Sequence, residues 1–162
     1  MRKKLTALIL FAIAFGLVEA TLVVYLRKAF GLETGLVQTS YSVLLDLGVI
    51  AFLSPGDLII PNKGFTVVEM IREIATIVML ITVARLAAQR PKQRLGAFLI
   101  VFAIWDIFYY VFLKILSNWP SSLMDLDVFF LVPVAWVGPV ITPVVISILL
   151  LILGVKLFVK FG

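Results

Sequence analysis

"VEMIREIATIVML", residues 68–80, is membrane-helix sequence with Glu69, Arg72 and Glu73 set inside it. A charged side chain near the centre of a bilayer costs roughly 3 kcal/mol on insertion scales. Three within five residues demand partners at the same depth. If the partners exist, the stretch is a spanning helix of a bundle; if not, it cannot cross.

The surrounding composition favours crossing. The chain has 162 residues, of which 63% are hydrophobic and 14% charged, with a mean hydropathy of +1.19. Soluble domains are about half apolar and about a quarter charged. A single packed core of this size could not hide so much apolar side chain, so lipid must solvate much of it. The class is an all-α integral membrane protein, one transmembrane domain over residues 1–162. The lipid bilayer is its first partner.

The chain has no cysteine and no histidine. Disulfides, thiolate metal sites and cysteine nucleophiles are excluded, as are histidine-ligated haem and zinc and histidine general bases. No cofactor is implied and no metal site is expected. The net charge of +5 does not call for nucleic acid, because the basic residues flank apolar spans and topology explains them.

Residues 5–26, 65–88 and 95–116 each form an apolar run long enough to span the hydrocarbon layer as a helix. The basic start "MRKK" and the small residues 12–14 also fit a cleaved signal peptide. The apolar run continues past that point to Leu26, which favours a retained span. Residues 41–53, "YSVLLDLGVIAFL", are apolar but short and meet "SPG" at once. A half-inserted or interfacial external segment at about 41–60 is expected, with Asp46 on a helix surface facing headgroups. The last apolar stretch carries Pro133, Pro139 and Pro143, so a lead-in is expected to precede a crossing at about 138–156.

Lys and Arg gather on the cytoplasmic side of membrane proteins. Four crossings with both termini inside place Arg2, Lys3, Lys4, Arg85, Arg90, Lys92, Arg94, Lys156 and Lys160 inside. Arg27, Lys28, Lys63 and Lys114 then lie at or near the outer face. A fifth crossing at 41–62 would put the 85–94 cluster outside. A cell-membrane four-helix bundle is therefore expected. No internal repeat supports an inverted-repeat transporter fold.

Under this topology all nine acids, Glu33 and Asp57 included, fall in the outer half or outside. At 1.5 Å per residue, Glu19 lies about 10 Å below the outer end of its helix, Glu69, Arg72 and Glu73 about 6 to 12 Å, and Asp106 about 15 Å. Glu69, Arg72, Glu73 and Thr76 share one helix face, and so do Asp106, Tyr109 and Tyr110. On the first helix Ala12, Gly16 and Glu19 form a stripe that permits close approach of a neighbour. The faces are expected to meet, with Arg72 between carboxylates and tyrosine hydroxyls as further donors. Pro139 and Pro143 would free backbone carbonyls, with Thr142 as one partner for them.

The candidate ligand or ion-binding residues are thus Glu19, Glu69, Arg72, Glu73, Asp106 and Tyr109, supported by Thr76, Tyr110, Pro139 and Thr142. Ionisable groups inside a membrane point first to an ion, proton or polar-ligand site, with transport as one use. A structural ion-pair network that fixes helix register is the competing reading. Four deep acids against one deep base favour the first, since the surplus needs water, a cation or a proton. A non-catalytic subunit of a larger complex, or a homo-oligomer, fits the short four-helix design. Paired carboxylates would also suit acid–base chemistry on a lipid headgroup, but no phosphate loop or serine elbow is present.

The stretches "EMIREIATIVML", "WDIFYYVFLK", "WPSSL" and "WVGPV" together resemble a group of uncharacterised bacterial multi-pass membrane proteins over about residues 69–143. The resemblance implies the membrane class and carries no activity, fold or ligand.

Overall fold

A computed structural model describes residues 2–31, 42–53 and 63–162. Glu33, Asp57 and the stretch 54–60 of the external segment lie outside the described residues. The elements run α1 (Arg2–Phe30), β1 (Val43–Asp46), β2 (Ala51–Leu53), α2 (Lys63–Ala87), α3 (Pro91–Ser117), β3 (Leu126–Phe130), β4 (Trp136–Pro139) and α4 (Ile141–Lys160).

The helices follow from long apolar runs broken only at their ends. Pro91 opens α3, where its missing N–H would have had no helical partner anyway. Asn118 closes it in the left-handed conformation, its N–H donating to the Lys114 carbonyl at 3.0 Å. α1, α3 and α4 are long and apolar enough to cross a membrane. α2 matches them with 25 residues but carries the charges quoted above.

α3 is the central helix and packs on α1, α4 and α2. α1 turns Leu8, Ala12, Gly16, Ala20 and Val24 inward, a four-residue spacing that makes one stripe. A Cβ at Gly16 would stand 3.1 Å from the Trp105 carbonyl oxygen on α3. At the α3–α4 crossing, Gly96 and Gly154 let the backbones meet. A Cβ at Gly96 would lie 2.6 Å from the Phe158 nitrogen.

Two apolar clusters fill the bundle. One, with Leu8, Ala12, Leu80, Ala84, Ala97, Ile100 and Phe158, lies toward the basic ends of the helices. The other, with Ala20, Val24, Tyr110, Leu113, Trp119 and Val140, lies toward the sheet.

The sheet corrects the all-α expectation. Its order is β1-β2-β4-β3, antiparallel throughout. Ala51 pairs with Val137 and Phe52 with Trp136 on one side of β4; Asp127 pairs with Gly138 on the other. β3 follows the C-terminal end of α3 and β4 leads into α4, so the sheet caps the bundle at the end away from the basic 89–94 turn.

The short segment around residue 46 is therefore a β-hairpin, not a half-inserted helix. Gly48, at φ +79°, turns the chain, and the Asp46 carboxylate accepts its N–H at 2.7 Å. Asp46 is a turn-forming strand residue. The prolines are also placed differently. Pro139 sits in β4 opposite Leu126, and α4 begins at Ile141 rather than at 138. Pro143 falls in the first turn of α4, where N–H groups lack intrahelical partners, so it opens no ladder. The Ala135 carbonyl accepts the Leu53 N–H at 3.0 Å within the sheet.

Candidate functional site: a polar cavity beneath the sheet

Between the two apolar clusters, α1, α2, α3 and β3 enclose a cavity of about 110 Å³. A dry apolar cavity of about 150 Å³ can hold benzene, so this one suits a few waters or a small molecule. Each helix supplies its charged face, and residues 128–131 of β3 and the following turn form the roof.

Arg72 is the hub on α2. Its guanidinium pairs with Glu19 of α1 and, through Nε, with Glu69 one turn back at 2.8 Å. The Thr76 hydroxyl donates to the other oxygen of Glu19 at 2.9 Å. Glu73 faces the roof, where both its oxygens accept the Leu131 N–H, the closer at 2.8 Å. The i, i+3, i+4, i+7 spacing of Glu69, Arg72, Glu73 and Thr76 thus serves one face.

α3 supplies Asp106, Tyr109 and Tyr110. The Ser147 hydroxyl on α4 donates to one Asp106 oxygen at 2.8 Å. Asp106 has no cation partner among the described residues. Tyr110 donates to Asp127 at 3.1 Å. Tyr109 lines the cavity, within Coulombic reach of Asp127, Arg27, Arg72 and Asp106.

Asp127, on β3, completes the set. Arg27 of α1 donates to it at 3.0 Å, and the same guanidinium lies 3.8 Å from the centre of the Trp119 ring. Burial pushes the Asp127 carboxyl above its ordinary value, with Arg27 pulling the other way. In the turn before β3, Asp125 is held below its usual value by the Ser121 hydroxyl and by backbone N–H groups.

The structure brings Glu19, Glu69, Arg72, Glu73, Thr76, Asp106, Tyr109 and Tyr110 to one cavity. Pro139 and Thr142, expected as supports, do not line it. Pro139 is a sheet residue, and the Thr142 hydroxyl donates to the Val49 carbonyl at 3.0 Å. Sequence reasoning missed Arg27, Asp127 and Ser147. Arg27 was readable: it continues the buried α1 stripe through Gly16, Ala20 and Val24, one residue beyond the expected helix end at Leu26. Nothing in "MDLDVFF" marks Asp127 as the buried acid and Asp125 as the surface one, since that depends on β3 pairing.

Among the described residues, five carboxyls and two guanidiniums line the cavity, and both guanidiniums are already paired. Among the described residues, no group of three or more acids is gathered closely enough to hold a metal ion.

The fold and this cavity define a helical membrane protein with a polar chamber closed by a small sheet. Comparison with models of protein families, with curated proteins and with solved structures finds no match.

Proposed function

We propose that the protein binds a cation, a proton or a small polar ligand in this chamber, as a four-span protein of the cell membrane. Both termini and the 89–94 turn are cytoplasmic in this reading, and the chamber opens toward the outer side. One observation carries it: among the described residues the chamber holds three more carboxyls than guanidiniums, and Asp106 stands there with only a hydroxyl partner. Charge of that kind at membrane depth is expensive unless water or a ligand balances it. Arg72 has the most exposed side chain of the ion pairs, at 24%, and would mark the entrance. Transport is one use of such a site, and oligomers or a larger complex would supply the remaining path.

The test is thermal stability of the purified protein with sodium, potassium or ammonium, with Asp106→Asn and Glu73→Gln alongside. A site predicts stabilisation by at least one cation, about 2.7 kcal/mol at a hundredfold excess over Kd, lost in Asp106→Asn. Indifference to all three cations, with both variants as stable as the parent, would overturn it.

A second reading has its own support. Arg72 is satisfied twice over, by Glu19 and Glu69, as a purely structural network would have it. The chain would then be a non-catalytic subunit of a larger membrane complex, and the cations would change nothing.

A further inference from the structure

Asp106 borders a second cavity, which shares Phe129 and Phe130 with the first and is also of about 110 Å³. Its walls have a different chemistry. Phe102, Phe130 and Trp136 line it with Ser147 and Thr142, and no Lys or Arg is among the described residues that line it. The rings form a continuous wall: Phe102 and Phe130 lie 6.5 Å apart at 17°, and Phe130 and Trp136 lie 6.1 Å apart at 68°. Among the described residues lining this cavity the one formal charge is the Asp106 carboxyl, nine-tenths buried and bonded through a single oxygen to Ser147.

Aromatic faces attract cations through the ring quadrupole, most strongly where water is excluded, and cages of such rings recognise methylated ammonium groups. Apolar walls also favour methyl groups over the hydration shell of a bare ion. A carboxylate at the edge supplies the counter-charge. Sodium or potassium would have too few oxygen partners here to replace its water.

We propose that this second chamber is a binding site for a methylated organic ammonium group, with Phe102, Phe130 and Trp136 as the cage and Asp106 as the counter-ion. The proposal rests on reading Asp106 as a ligand-facing group and adds a ligand class and a separate chamber. The group could belong to a free methylated amine or to a choline headgroup, which present the same chemistry.

The probe is tetramethylammonium, titrated against the full-length protein in detergent by tryptophan fluorescence and thermal shift, with ammonium and potassium as controls. Tetramethylammonium is expected to bind at least tenfold more tightly than either control. Asp106→Asn and Trp136→Leu should each weaken it more than tenfold, and Glu73→Gln should leave it unchanged. Phe102→Leu, which keeps an apolar wall, guards against a variant that fails to fold. Competition by phosphatidylcholine but not phosphatidylglycerol in nanodiscs would assign a lipid source; no competition would assign a soluble one, and both support the cage. Equal affinity for ammonium and tetramethylammonium would overturn the proposal. So would sensitivity to Glu73→Gln without sensitivity to Trp136→Leu, which would leave the first chamber as the site. No binding of tetramethylammonium, with stabilisation by sodium, potassium or ammonium retained, would overturn this proposal and leave the first chamber's reading standing.

Discussion

Arg27 and Asp127 meet at 3.0 Å although 100 residues separate them in the chain. The contact ties the C-terminal end of α1 to the first residues of β3. Both residues line the chamber. Both side chains are buried, at 9% and 3% exposure, so the pair is held in low dielectric, where losing one partner is far worse than losing both.

That asymmetry gives the first expectation. Arg27→Met strands a buried carboxylate and should destabilise the protein by about 3–5 kcal/mol. The double variant Arg27→Met, Asp127→Leu should recover most of the loss. Reversible unfolding of the purified protein in mixed micelles measures both.

The helix crossing offers a second. Gly96→Ala would drive a Cβ to 2.6 Å from the Phe158 nitrogen and 2.8 Å from the Gly154 oxygen. Backbone cannot yield as a flexible side chain can, so a loss of at least about 1–3 kcal/mol is expected. Gly31→Ala is the contrast. Its Cβ would meet no atom of the described residues within 4 Å at φ +66°, so the left-handed conformation sets the cost, about 1–2 kcal/mol. The melting temperatures of the two variants should rank in that order.

Asp125 makes a pH-dependent turn. Its Oδ2 accepts from the Ser121 N–H and hydroxyl, both at 2.7 Å, and from the Ser122 N–H at 3.2 Å. These bonds favour the charged form and hold the carboxyl below its ordinary value. Their contribution is fully present above the unfolded carboxylate value, near 3.9, and is lost as pH falls through the lower folded value. The protection of the Ser121 and Ser122 amides, measured against intrinsic exchange at each pH, should therefore fall at acid pH and stay constant above about pH 5. Asp125→Asn should show the lowered protection at every pH.

The absence of cysteine makes the topology directly measurable. Met124 is 69% exposed in the turn at the sheet end, and Lys92 is exposed in the first turn of α3, at the opposite end. With single Cys substitutions in intact cells, Met124→Cys should react with a membrane-impermeant maleimide and Lys92→Cys only after lysis. The reverse pattern would place the chamber on the cytoplasmic side.

Within the chamber, Glu19 and Arg72 should couple. A double-mutant cycle of Glu19→Gln and Arg72→Gln is expected to return an interaction of about 0.5–3 kcal/mol, as for residues in one polar network. Thr76→Val should lower it, because its hydroxyl holds the second Glu19 oxygen.

The sequence by itself determined the helices and the stratum where charge collects. Helical periodicity is local, so Glu69, Arg72, Glu73 and Thr76 could be put on one face, and Asp106 with Tyr109 and Tyr110 on another, before any contact was known. Hydropathy is also local, so the lipid-compatible runs could be read directly. Tertiary structure alone decided that residues 43–53 and 126–139 pair as a sheet, because strand pairing depends on a partner edge more than 80 residues away, and a short apolar run reads equally well as strand or interfacial helix. It alone set Asp127 inside and Asp125 outside, moved Thr142 to a neighbouring cavity, and left Asp106 between two chambers. Burial of a strand side chain is a property of the pairing register, which no local pattern encodes.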